Sequence, residues 1–260
     1  MEYPPAPTSS TGEMTLIEHL AELRRRLIIA ALILLVGAFI SYSYCDWVFQ
    51  ILTKPYYAAF PAHSLIGTGP AEAFLMKLKV AVLSSVFLTS PLLFHQLWLF
   101  VSPGLYEHER RLALPFIAIT SFLFLAGGYA AYVAFVPITM QFFSDQYQSI
   151  GITPQITVRE HLSLMIHLLL GSGAIAETPV LAYFLGRFGI ITHQLLIEKA
   201  RYAVVAIFLI AAIITPTPDV LTQCLFALPL LLLYGLSIGI VYIVAPQPQS
   251  EPPPSLGGNK

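Results

Sequence analysis

The sequence predicts an all-α polytopic membrane protein, with six transmembrane helices preceded by a short amphipathic N-terminal helix. Three observations predict it. Of the 260 residues, 57% are hydrophobic and only 10% are charged, against roughly 45–50% and about 25% in soluble domains. Mean hydropathy is +0.75. Apolar runs long enough to cross a bilayer recur along the chain, divided by polar stretches rich in Pro and Gly. Too few polar groups exist to cover a water-facing surface, so the bilayer is the solvent for most of the chain. The net charge of −1 and the lack of a basic tract give no reason to expect a nucleic-acid partner. Cys45 and Cys224 stand far apart and form no metal spacing.

The elements follow in order. Residues 1–14 are polar and rich in Pro, Ser and Thr and read as a disordered tail. Thr15 and Glu18 form a T-x-x-E capping box. Leu16, Leu20, Leu23 and Leu27 then recur at helical spacing, with Glu22, Arg25 and Arg26 off that stripe. This predicts a short amphipathic helix at the membrane surface. Arg24, Arg25 and Arg26 followed by an apolar run imitate a signal peptide. No A-x-A-like cleavage site follows, so Leu27 to Tyr44 is expected to stay as the first span. Spans are expected over about 71–100, 112–137, 161–188, 202–214 and 220–245, with polar stretches after Asp46 and over about 143–160. The fifth run, Tyr202 to Ile214, has 13 apolar residues. At about 1.5 Å per residue it covers only about 20 Å of a hydrocarbon core of about 30 Å. The bilayer is therefore expected to thin there, or the turn Thr215-Pro-Thr-Pro-Asp219 to sit below the normal interface. The transmembrane domain spans 15–245, and residues 246–260 read as a second disordered tail.

Six spans put both termini on one side, and the basic residues choose which. Nine lie on the terminal side (Arg24, Arg25, Arg26, Arg110, Arg111, Arg187, Lys199, Arg201, Lys260) and four on the other (Lys54, Lys77, Lys79, Arg159). The positive-inside rule makes the terminal side cytoplasmic. No internal repeat is apparent, which argues against a transporter built from repeats.

Several residues are candidates for function. Glu177 lies deep in the fourth apolar run, between small residues and Thr178-Pro179. A charged residue at a bilayer centre costs roughly 2.5–3.5 kcal/mol, so such residues tend to be functional. Pro179 removes a helical donor and is expected to free the carbonyl of Ile175. The plainer alternative is a protonated Glu bonded to a neighbouring helix. Glu22 and Glu109 face the same compartment by topology, and two carboxylates there suit guanidinium groups of a ligand. Here too a plainer reading stands: Glu22 pairs with Arg26 at i,i+4, and Glu109 sits beside Arg110 and Arg111. His19, Glu22, His108 and Glu109 fit no closed zinc pattern, so neither metal nor cofactor is expected. His167 reads as a packing histidine with its bonds satisfied. No nucleophile or metal set lies in one plane, so an enzyme is not expected. A small-solute or ion transporter using Glu177 remains the alternative class.

Taken together, the motifs resemble those of the TatC family. They are His19-Leu-Ala-Glu-Leu-Arg-Arg-Arg26, Ser90-Pro-Leu-Leu-Phe-His-Gln96 with Trp98-Leu-Phe100, Pro103-Gly-Leu-Tyr-Glu-His-Glu-Arg-Arg111, Glu177-Thr-Pro179, and Thr215-Pro-Thr-Pro-Asp219 followed by Gln223. The order holds over about 16–245. The last turn is one residue longer than the Thr-Pro-Pro-Asp form. The resemblance implies a receptor for folded proteins that carry a twin-arginine signal peptide. It implies single-span partners of the TatA and TatB types, an oligomeric complex, and export driven by the proton-motive force in a prokaryotic plasma membrane or a thylakoid. By position, Glu22 and Glu109 would meet the twin arginines, with His19, Phe100 and Pro103 in the same patch. Glu177 would be the intramembrane carboxyl. Thr215, Asp219 and Gln223 would belong to the region where a partner helix docks.

Overall fold

The computed structural model describes residues 16–102, 113–214 and 220–244. They form α1 (Leu16–Tyr42), α2 (Cys45–Ala59), α3 (Glu72–Val101), α4 (Ala113–Ala130), a π-helical turn (Ala131–Phe135), α5 (Val136–Ser149), α6 (Val158–Ala176), α7 (Thr178–Arg187), α8 (His193–Glu198), α9 (Ala200–Ile214) and α10 (Val220–Val244). Among these residues four helical stretches are long and apolar enough to cross a membrane: Glu72–Val101, Ala113–Ser149, Val158–Arg187 and Thr222–Val244. The helix pair at the start qualifies as one bent span, and Ala200–Ile214 is a shorter apolar helix. Six apolar segments thus stand where six were expected.

The boundaries differ in instructive ways. The expected surface helix and the first span are one continuous helix, α1. Nothing between Glu22 and Leu27 breaks an α-helix, so the chain has no reason to stop there. The stretch after Asp46 is helical as α2, with Pro55 inside it. The third span runs on through the π turn to Ser149, so much of the expected second polar stretch is helix. Proline explains the π turn. Pro137 stands two residues beyond it, and the wider turn, closed by the Val136 N–H on the Ala131 carbonyl, absorbs the lost donor.

The chain packs as two compact units. The first comprises the described residues of Met1–Ile51 and Ala71–Phe122, and its centre is α1 against α3. Gly37 permits the contact, because a Cβ there would lie 2.5 Å from Ser85 Oγ and 2.6 Å from Thr89 Cγ2. Ser85 Oγ donates to the Leu34 carbonyl at 2.8 Å, joining the helices. Small residues and hydroxyls at a helix crossing are what a bilayer favours, since lipid supplies no hydrophobic drive between spans. The leucine stripe is divided between two surroundings. Leu20 and Leu27 are 63% and 60% exposed, while His19, Glu22, Leu23 and Arg26 are partly covered. Apolar side chains face the lipid, and the polar face of α1 turns toward α3.

The second unit comprises the described residues of Leu52–Pro70 and Leu123–Lys260. Glycines again set the crossings. A Cβ on Gly127 would lie 2.7 Å from both Ala176 Cβ and the Ser172 carbonyl, and one on Gly173 would lie 2.9 Å from the Phe124 ring. Gly186 meets Val241 in the same way, joining α7 to α10. The Thr157–Glu160 capping box starts α6. It places His161 where its Nε2 meets the Leu52 carbonyl at 3.0 Å, beside the fully buried Tyr56.

Candidate functional sites

In the first unit, Glu22 and Arg26 lie one turn apart on α1. Arg26 Nε donates to Glu22 Oε1 at 2.6 Å, and Arg26 Nη2 lies 2.5 Å from the same oxygen. Arg26 Nη1 donates to the side-chain oxygen of Gln96 on α3 at 3.3 Å. Both charged side chains are 19% exposed. At the same end of the helix pair, the rings of His19 and Phe100 stack with centroids 4.5 Å apart. Three of the expected signal-site residues, His19, Glu22 and Phe100, are therefore gathered where α1 meets α3. Glu109 and Pro103 lie outside the described residues. The i,i+4 spacing anticipated the Glu22–Arg26 pair. Gln96 was missed as a participant, because its bond joins residues 70 positions apart.

In the second unit, Glu177 breaks the fourth span. It is the C-cap of α6 and the N-cap of α7. The residue is 8% exposed, and Oε1 is buried with no hydrogen-bond partner. The carboxyl lies against the backbone of Phe124, next to the Gly127–Ala176 contact. The expected free carbonyl of Ile175 is not free, since Thr178 Oγ1 donates to it at 2.6 Å. The same arrangement stands in α3, where Ser90 Oγ donates at 2.9 Å to the Phe87 carbonyl that Pro91 leaves without its helical donor. In both places the hydroxyl residue just before proline supplies the bond that proline removes.

Gln223 Nε2 on α10 donates to the Phe208 carbonyl of α9 at 2.9 Å, holding the short helix against its successor. α9 has 15 residues, about 22 Å of helix, so its shortness persists in the structure. Thr215 and Asp219 lie outside the described residues. No hydrogen bond joins Glu177 to Gln223 among the described residues. His167 is not a packing histidine. It is exposed, and its Nδ1 meets the Ser163 carbonyl of its own helix at 2.7 Å. The buried histidine is His161, whose role rests on a contact 109 residues away.

These features define a class: an all-helical polytopic membrane protein that carries one polar cluster on its first helix pair and a separate buried carboxyl in a broken span. The model of the Sec-independent protein translocase protein (TatC) family matches residues 18–229. A TatC protein of Koribacter versatilis is 38% identical over 241 residues, 90% of this chain and 87% of that one. One from Aquifex aeolicus is 36% identical over 86% of this chain and 93% of its own length. A crystal structure of the twin-arginine translocase receptor TatC superposes with a TM-score of 0.78 at 34% identity, covering 87% of this chain and 99% of that one. The chain belongs to the TatC family of Sec-independent protein translocase proteins.

Proposed function

We propose that this chain is the receptor subunit of a twin-arginine translocase. It binds the twin-arginine signal peptides of folded proteins on the cytoplasmic face, and it docks single-span TatA- and TatB-type partners for export driven by the proton-motive force. Family membership supports the general role. The observation that carries the site assignment is the guanidinium already held between Glu22 and Gln96, since a carboxylate and an amide oxygen from two helices accept a planar fork. In this reading Glu22 and Glu109 bind the two arginines, with His19, Phe100 and Pro103 as the wall beside them. Glu177 and Gln223, with Thr215 and Asp219, receive a partner helix. The orphaned Oε1 of Glu177 supports that role, because a buried acceptor without a partner invites an incoming donor. The nine-to-four division of basic residues supports cytoplasmic termini in a prokaryotic plasma membrane. Crosslinking to a twin-arginine signal peptide, compared with a twin-lysine control, tests the proposal. We expect crosslinks to the twin-arginine peptide alone, and equal crosslinking of both peptides would refute it.

A further inference from the structure

Arg24, Arg25 and Arg26 are consecutive, yet only Arg26 turns inward; the other two are exposed. Its guanidinium engages through all three nitrogens, Nε and Nη2 on Glu22 Oε1 and Nη1 on Gln96. An exposed i,i+4 pair is worth little. This one differs in two respects: both side chains are 19% exposed, and the third bond crosses to another helix. The acceptors are built for one planar guanidinium, and the chain's own arginine fills the place. The His19–Phe100 stack stands at the same end, where a second guanidinium could lie on an aromatic face.

We propose that Arg26 is an internal stand-in for a ligand arginine. It occupies the Glu22–Gln96 cradle at rest and sets the affinity threshold of the site by competing with incoming cations. The proposal rests on the receptor reading above. Arg26 neutralises Glu22, so a single ammonium gains little by approaching. An ammonium is also a compact, strongly hydrated point charge, and it lacks the planar fork that spans these two acceptors. A ligand arginine can make the same bonds and so exchange with Arg26, which then moves toward solvent beside Arg25. Competition of this kind lowers the affinity for every cation that must vacate the cradle by the same factor, and the preference for arginine comes from the acceptors themselves.

The test uses the full-length protein in lipid nanodiscs, with twin-arginine and twin-lysine signal peptides measured by equilibrium competition. Arg26→Met keeps the aliphatic stem and removes the competitor. We expect it to bind the twin-arginine peptide about three- to tenfold more tightly. The twin-lysine peptide should gain by the same factor, so that both affinities rise while their ratio stays the same. Arg26→Lys keeps the charge without the fork, and should raise both affinities by a smaller factor. Unchanged or weaker twin-arginine binding in these variants overturns the proposal, as does a gain confined to one of the two peptides. If the Met variant does not fold, the Lys variant decides by the same criteria. Failure here is distinct from failure of the receptor reading. If only this proposal fails, Glu22→Gln with Glu109→Gln still weakens peptide binding; if the receptor reading fails, that double variant binds as the parent does.

Discussion

Glu22 and Glu177 are both partly or wholly withdrawn from solvent, but they rest in opposite states. Glu22 is engaged by an arginine of its own helix, which reaches across to Gln96. Glu177 is buried among small residues with one oxygen unpartnered. The first site is occupied, so a ligand must exchange with what is there. The second leaves an acceptor open, so a partner adds to it. The surroundings explain the difference. Glu22 lies one turn from Arg26 on the same helix face. Glu177 lies where Gly127, Gly173 and Ala176 bring backbones close together, leaving no room for a long cationic side chain of the same helix pair.

The comparison breaks most easily at Glu177. Replacement by Ala removes both donor and acceptor, and should reduce export per folded molecule by about tenfold or more, consistent with loss of a buried polar contact. Glu177→Gln retains the shape and the hydrogen-bonding capacity, and should keep substantial export. Complete loss in the Gln variant with partner crosslinking intact would assign Glu177 to proton coupling rather than docking. Export assays normalised to protein level give the answer.

The two proline sites allow a second comparison. Thr178→Val removes the hydroxyl bond to the Ile175 carbonyl, and Ser90→Ala removes the one to Phe87. Each should cost about 1–3 kcal/mol of stability, read as a lower unfolding temperature in detergent. No change in either variant would mean that neighbouring groups or water replace the hydroxyl.

Lengthening α9 by one turn of Leu or Ile should leave the protein inserted but weaken partner crosslinking, because it removes the mismatch of a 15-residue span. Normal crosslinking would make the shortness incidental. The smallest effects separate the glycines. Gly127→Ala meets Ala176 and backbone at 2.7 Å and should destabilise, whereas Gly235→Ala meets nothing within 4 Å and should be nearly neutral. Overpacking of a helix crossing typically costs about 1–3 kcal/mol, and thermal unfolding of the pair of variants would show it. Equal unfolding temperatures would contradict the close approach of α4 and α6.

Much of the fold was legible because its signal is a length of apolar chain. The runs that became α3 and α10 needed no knowledge of their neighbours. What was not legible in α1 was its continuity with the first span and the partner of its polar face. Leu20 and Leu27 mark the buried face of a helix in water, but in a bilayer they mark the lipid-facing side. The Glu22–Arg26 pair was legible because both ends lie within one turn. Gln96 and His161 were not, since each acts through a contact that only folding creates. The open oxygen of Glu177 was anticipated as a polar site in an apolar span. The supposed second acceptor at Ile175 was not there, because a threonine adjacent to proline in sequence also reaches the carbonyl that proline exposes.

Equilibrium binding of a twin-arginine signal peptide to three proteins tests the central claim most directly: the parent, the Glu22→Gln Glu109→Gln variant, and Glu177→Gln. Each charge-assisted bond lost should cost about 1.5–3 kcal/mol, so the double variant should bind at least tenfold more weakly while remaining folded. Glu177→Gln should bind the peptide as the parent does. Unchanged binding in the double variant, or loss of binding confined to Glu177→Gln, would contradict the assignment of signal recognition to the first helix pair.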